Sequence, residues 1–261
     1  MSARTIVVTD IHGCFDEFML LLDKVQYGDH DRLLVAGDMV DRGPESGKVV
    51  RWVRNAHART NGLTTSILGN HDEKHVRWHK HMLRKRHDRN YHVPMFFSDD
   101  KIEAYNQMSD EDLEFLSNLP LFIHLQSQDW VVVHAGLEPG KELDKQDVRK
   151  MTHIRYLSPE TMKTVSLGHN FSPPDGSIYW TDCYDLPHHV VYGHNVHGLK
   201  APRIIKKNNG AQLVGLDTGC CFGGCLSAFL VPETKEEQVT PDNFFQVQSA
   251  RAYSKSTLFH T

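Results

Sequence analysis

Six short segments concentrate the residues able to do chemistry: Asp10-Ile-His12-Gly, Gly37-Asp38-Met-Val-Asp41-Arg42-Gly43, Gly69-Asn70-His71-Asp72, His134-Ala-Gly136, Gly193-His194 and Asp217-Thr-Gly219. Their carboxylates, carboxamide and imidazoles are the oxygen and nitrogen donors that suit divalent Mn, Fe, Co, Ni or Zn. Asp10 and His12 stand two apart, which puts both on one face of an extended chain. A carboxylate such as Asp38 can bridge two cations, and two cations about 3.5–4 Å apart can generate hydroxide and clamp both ends of an in-line phosphoryl transfer. The glycines let the backbone turn sharply enough to present these groups. A single His or Asp at a strand end usually makes only structural hydrogen bonds, whereas the joint set Asp10, His12, Asp38, Asn70, His134 and His194 points to metal.

Strands must position these groups. Residues 5–9 read as the first, a β-branched run that stops at Asp10. Phe15, Phe18, Met19, Leu22 and Val25 then recur at helical spacing, with Asp16 and Glu17 in the first turn, where the helix dipole favours negative charge. Residues 32–36 form the second strand, and Pro44 and Glu45 open a helix that buries Val49, Val53 and Ala56, proline being tolerated at the first helical position. Further strands fall at 64–68, 130–133, 189–192, 212–216 and 244–247. All but the last end in a polar segment, and the carboxyl ends of strands are where ligands bind in open α/β sheets. Strands interrupted by helices predict a layered α/β or α+β fold, taken as one domain over 1–261. A polar, largely helical insertion over about 73–118 follows the third strand; its last helix opens with the capping pattern Ser109-Asp-Glu-Asp112 and stops before Pro120. A second excursion, about 140–187, contains the loop Ser172-Pro-Pro-Asp-Gly176.

Composition bounds the function classes. With 261 residues, 39% hydrophobic and 24% charged, and a mean hydropathy of −0.46, the chain fits no collagen-like, disulfide-rich or disordered class. No apolar run approaches the roughly 18 residues of a membrane span, and the apolar stretch at 6–8 is too short for a secretory signal. Five cysteines without paired CxxC spacing fit a reducing cytoplasm, and Cys220, Cys221 and Cys225 read as small buried residues. The net charge of −4 is uneven: seven cations between Lys74 and Arg89 face one acid, Asp88, so this stretch carries +6 and the remainder −10. Following the Asn70-His71-Asp72 loop directly, the stretch is expected to rise beside the metal centre and attract polyphosphate. Within it, Trp78 and Tyr91 are candidates for core packing or nucleobase stacking, and the histidines offer a weak metal signal at i,i+4 and i,i+6.

In order, Asp10-Ile-His-Gly, Gly37-Asp-Met-Val-Asp-Arg-Gly43, Gly69-Asn-His-Asp72, His134-Ala-Gly136 and Tyr192-Gly-His194 resemble the motifs of the calcineurin-like metallophosphoesterases, more narrowly the PPP-type branch. The resemblance implies a β-sandwich flanked by helices, with the basic insertion as a cap. One metal would be held by Asp10, His12 and Asp38, and a second by Asp38, Asn70, His134 and His194. It further implies that a metal-bridging water attacks phosphorus, that His71 protonates the leaving oxygen, that Asp41 orients His71, and that Arg42 grips phosphate with a forked guanidinium. Arg155 looks like the family's second phosphate-binding arginine, and Lys74 and Arg77 of the cap would hold extra phosphates.

The segment Leu216-Asp-Thr-Gly-Cys-Cys-Phe-Gly-Gly224 is similar to that of bacterial diadenosine tetraphosphate hydrolases, as is Asp10-Ile-His-Gly-Cys14. Asp72 departs from the Glu usual in eukaryotic protein phosphatases, while Asp41-Arg42-Gly43 is closer to the asymmetric-cleaving and protein-phosphatase branches than to the symmetric-cleaving one. The expectation is a cytoplasmic phosphohydrolase with two divalent ions, manganese first among Mn, Fe, Ni, Co and Zn, acting on nucleotide polyphosphates of the bis(5'-nucleosyl)-tetraphosphate type. Its rivals are a protein serine/threonine phosphatase with the same centre, and a nucleic-acid or cap-binding module with a vestigial one, supported by residues 74–92 alone.

Overall fold

A computed structural model of the chain describes residues 4–168 and 172–255. Twelve strands and six α-helices are found among them. The amino-terminal part runs β1 (Thr5–Val8), α1 (Phe15–Lys24), β2 (Arg32–Val35), α2 (Ser46–Arg59), β3 (Thr64–Ser66) and α3 (Asn70–His87). The insertion adds α4 (Asp99–Asn106) and α5 (Asp110–Ser117). Then come β4 (Phe122–Leu125), β5 (Trp130–Val133), α6 (Val148–His153), β6 (Tyr156–Leu157), β7 (Ile178–Tyr179), β8 (His189–Tyr192), β9 (Arg203–Lys206), β10 (Gln212–Gly215), β11 (Cys225–Leu230) and β12 (Phe244–Gln248).

Two five-stranded sheets, ordered β12-β11-β1-β2-β3 and β4-β5-β8-β10-β9, face one another, with β6 and β7 forming a small separate pair. Side-chain alternation explains why the central strands read as unbroken apolar runs. Val7, Leu34 and Phe229 of the first sheet meet Trp130, Val132, Val191 and Val214 of the second in one core between the sheets. Their neighbours Ile6, Val8, Leu33, Val35, Leu226 and Ala228 point the other way, onto α1 and α2. On the second sheet Val131, Val133, Val190, Tyr192 and Leu213 turn outward to a third core with Trp180, Tyr184 and Met151. A strand buried on both faces has no polar face to show. The β-sandwich with flanking helices is thus as expected.

Two details differ from the sequence reading and one agrees. The second helix starts at Ser46, not Pro44, with Glu45 as the residue before it, because residues 37–43 are still occupied in the loop that carries Asp38 and Asp41. The strand β11, which pairs antiparallel with β1 through Ile6↔Leu230, Val7↔Phe229 and Val8↔Ala228, was not anticipated, nor were β4, β6, β7 and β9. The capping pattern at Ser109 does start α5, with Ser109 Oγ accepting from Asp112 N–H at 3.2 Å and Asp112 accepting from Ser109 N–H at 3.0 Å.

The topology places chemistry at one rim. β1, β2 and β3 are mutually parallel, as are β5, β8 and β10, so the carboxyl ends of each trio lie together.

Candidate active site

The loops leaving β1, β2, β3, β8 and β10 close around a cavity of about 360 Å³ lined by Asp10, His12, Asp38, Asn70, His194 and Asp217, with Arg42, His71, His153, Arg155, Asn195 and Phe222 around them. Backbone strain gathers at this rim. Ten non-glycine residues have positive φ among the described residues, and six are here: Asp10, His12, Asp38, Asp41, Arg42 and His194. Each such conformation costs about 1–3 kcal/mol and persists only where surrounding structure over-determines it.

The surrounding structure does so with hydrogen bonds. Asp72, buried completely, accepts from the backbone N–H groups of Asp38 (2.8 Å), Met39 (3.0 Å) and Gly69 (3.1 Å), tying the loop after β2 to the start of α3. Asp10 Oδ2 accepts from Thr9 Oγ1 and from His194 N–H at 3.0 Å, linking the two sheets. Close approach then requires glycine at two positions. A Cβ on Gly69 would lie 2.2 Å from Asp38 Oδ1, and one on Gly193 would lie 2.0 Å from Asp10 Oδ2.

The donor set fits a pair of cations. His12 Nδ1 is fixed 2.8 Å from the Val40 carbonyl, so Nε2 faces inward, 3.6 Å from Asp38 Oδ2 and 3.9 Å from Asp10 Oδ1. On the far side of the same carboxylate, His134 Nδ1 is fixed 2.9 Å from the Ala36 carbonyl, and its Nε2 lies 3.4 Å from Asp38 Oδ1 and 3.0 Å from Asn70 Oδ1. The two oxygens of Asp38 therefore address two different ligand groups, the geometry of a bridging carboxylate. His194 Nε2 is buried without a hydrogen-bond partner, although burying an unpaired polar atom is unfavourable unless something binds it. Burial, with Arg42 beside it, holds His12 down to about 3, and burial with Arg155 holds His194 well below the usual imidazole value, so both are neutral donors. His134 is pushed up to about 10: burial opposes its charge, but Asp38 and Asp10 outweigh burial. Asp10 is in turn raised by burial to about 6, with Asp38 nearby adding to the rise and His134 opposing it.

Beside this cage His71 Nδ1 lies 2.6 Å from Asp41 Oδ2, and its Nε2 faces the cavity 3.5 Å from an Arg42 Nη. Asp41 is held well below the usual carboxylate range: burial opposes ionisation, and the His71 and His75 contacts overcome it. Two partners of Asp41 were not anticipated. His75, completely buried, sits with Nε2 2.6 Å from Asp41 Oδ1, and Lys101 of α4 donates to Asp41 Oδ2. The i,i+4 step from His71 to His75 along α3 was the only available signal for the first; the second is 60 residues away in sequence. Asp217, recognised only as part of a motif, is buried in the cavity wall with burial and nearby Asp10 raising it well above the carboxylate range.

Two guanidinium groups flank the cavity without a carboxylate partner among the described residues. Arg42 rests on the Phe222 ring at 4.8 Å, and the largely buried Arg155 donates to the His194 carbonyl at 3.1 Å. Lys74 and Arg77 do not line the cavity, and Arg77 pairs with Glu73 at 3.8 Å instead. Trp78 stacks on Phe97 with centroids 4.6 Å apart, and Tyr91 Oη meets His81 Nδ1 at 2.7 Å, so both aromatics are engaged internally. The helix histidines form no metal-holding group with one another among the described residues: His75 is bound to Asp41 and His79 to Tyr105.

The family model for calcineurin-like phosphoesterases matches residues 3–227. The chain belongs to that family. It is therefore a phosphoesterase, a hydrolase of phosphoric ester or anhydride bonds. An asymmetrical bis(5'-nucleosyl)-tetraphosphatase of Bacillus velezensis is 30% identical over 243 residues, covering 87% of this chain and 88% of that one. A symmetrical bis(5'-nucleosyl)-tetraphosphatase of Vibrio parahaemolyticus is 34% identical over 270 residues, covering 85% and 93%. A crystal structure assigned to a diadenosine tetraphosphatase superposes with a TM-score of 0.68 at 27% identity over 95% of both chains. A yeast protein serine/threonine phosphatase shares the fold, with a TM-score of 0.56 at 16% identity over 95% of this chain and 80% of that one. The side chains of Asp10, His12, Asp38, Asn70, His134 and His194, which the sequence reading singled out, lie together at this rim. No described helix is long and apolar enough to cross a membrane.

Proposed function

We propose that the chain hydrolyses a phosphoric anhydride bond of nucleotide polyphosphates of the bis(5'-nucleosyl)-tetraphosphate type. The carrying observation is the division of the Asp38 carboxylate between two ligand groups, with two unpaired guanidiniums beside it. Asp10, His12 and Asp38 would hold one divalent ion, and Asp38, Asn70, His134 and His194 the other. Such a pair supplies Lewis-acid charge for the phosphoryl oxygens and makes water nucleophilic at neutral pH. The mixed carboxylate, carboxamide and imidazole donors suit Mn, Fe, Co, Ni or Zn, and manganese is taken first among them.

The remaining steps fall to the chain itself. Arg42 and Arg155 both line the cavity with forked donors, which orient the phosphoryl group and balance charge gathering on its oxygens. His71, with Nε2 exposed to the cavity and Nδ1 fixed by Asp41, delivers a proton to the leaving oxygen. His75 and Lys101 fix Asp41 from behind, so the ring orientation depends on a helix of the insertion. Relatives carrying both cleavage modes in their names support the substrate class. Five unbridged cysteines favour a cytoplasmic setting.

Turnover of diadenosine tetraphosphate compared with a phosphoserine peptide at equal manganese tests the assignment. A preference for the dinucleotide of at least tenfold in kcat/KM is expected; preference for the peptide replaces it with the protein-phosphatase reading.

A further inference from the structure

A second, separate group of metal-type donors lies at the opposite end of the second sheet. His124 of β4, Asp129 at the start of β5 and His188 just before β8 each offer a ligand atom, and these atoms fall within 4.8 Å of one another. His124 Nε2 is 3.0 Å and His188 Nδ1 2.6 Å from a single oxygen, Asp129 Oδ1, and the two rings meet edge-on at 4.9 Å. Two imidazoles could have shared the two carboxylate oxygens; instead both converge on one.

The strands hold this arrangement in register. His124 is opposite Val131 in the β4–β5 pair, and Trp130 is opposite His189 in the β5–β8 pair, so the three donors are neighbours across three adjacent strands. The His189 N–H donates to the Asp129 carbonyl at 2.9 Å, and Tyr184 Oη donates to the His188 carbonyl at 3.0 Å, which fixes the backbone on both sides. Side-chain exposures of 24%, 30% and 20% leave an approach from solvent. No lysine or arginine pairs with Asp129 among the described residues.

We infer that His124, Asp129 and His188 form a third divalent-metal site, independent of the catalytic pair, for zinc-class cations. Two imidazoles and one carboxylate suit Zn, Co, Ni or Cu over Mg or Ca. Bond lengths of about 2.0–2.2 Å around a tetrahedral ion separate its ligand atoms by roughly 3.3 Å. The 3.0 Å and 2.6 Å spacings to Asp129 Oδ1 need to open by less than about 1 Å to accept it. Three protein donors leave the fourth position to water, the pattern of an exchangeable site rather than a closed structural one. β5 and β8 start here and run toward His134 and His194, which follow their carboxyl ends, so the same two strands connect both centres, roughly 17–20 Å apart at about 3.3 Å per residue.

Equilibrium dialysis of the manganese-loaded protein against Zn2+, followed by elemental analysis, tests the site. Wild type is expected to retain one more metal equivalent per chain than His124→Ala, Asp129→Asn or His188→Ala, with phosphoesterase turnover in manganese unchanged in all three. His81→Ala, a histidine of α3, is expected to lose none. With Co2+, the wild-type minus His188→Ala difference spectrum is expected to show visible d–d bands. Equal metal content in wild type and the three variants overturns the inference, as does equal loss in His81→Ala. Retained turnover in the variants establishes that they are folded.

Discussion

Replacing Asp72 by alanine attacks the frame of the active site without touching a metal ligand. Its two oxygens accept three backbone hydrogen bonds, from Asp38, Met39 and Gly69, and none of its surface reaches solvent. Alanine leaves three N–H groups buried without an acceptor. Each unsatisfied group costs about 1–3 kcal/mol, so the loss expected is about 3–9 kcal/mol. That is a large part of the roughly 5–15 kcal/mol by which domains are stable. Asp72→Asn keeps one acceptor oxygen but turns an NH2 toward a donor, so it should fall between wild type and alanine. Urea unfolding of metal-free protein measures both, and manganese affinity of whatever remains folded should drop, because the N–H groups of Asp38 and Gly69 set the backbone from which two ligands project. A loss below about 1 kcal/mol for alanine, with manganese affinity retained, would refute the reasoning.

Lys101→Met removes a cation from Asp41 while His75 and His71 stay bonded, and kcat should fall about tenfold with KM unchanged, a charged hydrogen bond contributing about 1.5–3 kcal/mol; a rise in KM alone would move Lys101 to substrate binding. Gly193→Ala puts a methyl group 2.0 Å from Asp10 Oδ2 and 2.1 Å from Thr9 Oγ1, so Asp10 must swing away; stability should drop by about 1–3 kcal/mol and manganese affinity by tenfold or more, measured by calorimetric titration. His197, packed on Tyr179 with Arg203 Nη1 3.3 Å from its Nδ1, is held down to about 4 by burial and then by Arg203. As pH falls from about 6.5 to 4 the unfolded chain takes up a proton that the folded chain refuses, so stability declines through that window by up to about 3 kcal/mol, and His197→Gln should flatten that slope in urea titrations across pH.

The catalytic rim was legible because of how the strands are buried. β1, β2, β5, β8 and β10 have both faces in cores, so each reads as a compact apolar run, and the Asp, His and Asn residues that follow stand out at its end. β11 escaped because the Gly-rich segment 219–224 precedes it and its partner, β1, lies more than 200 residues away. The Asp41 environment was half legible. Its neighbour His71 belongs to a motif, but Lys101 arrives through the return of α4 against α2, with Tyr105 of α4 bonded to His79 of α3, which no local period encodes. Counting charge along 74–92 left out the acids that pair with it from outside. Arg86 finds Asp110 of α5 at 3.8 Å and Arg77 finds Glu73, so acids outside the counted stretch or at its edge offset part of the basic field.

The account stands most directly on the bridging role of Asp38. A crystal grown with manganese, with anomalous diffraction recorded at the manganese edge, should show two peaks per chain about 3.5–4 Å apart. One should lie against Asp10, His12 and Asp38, and the other against Asp38, Asn70, His134 and His194. A single peak, or peaks that bypass Asp38, would contradict it.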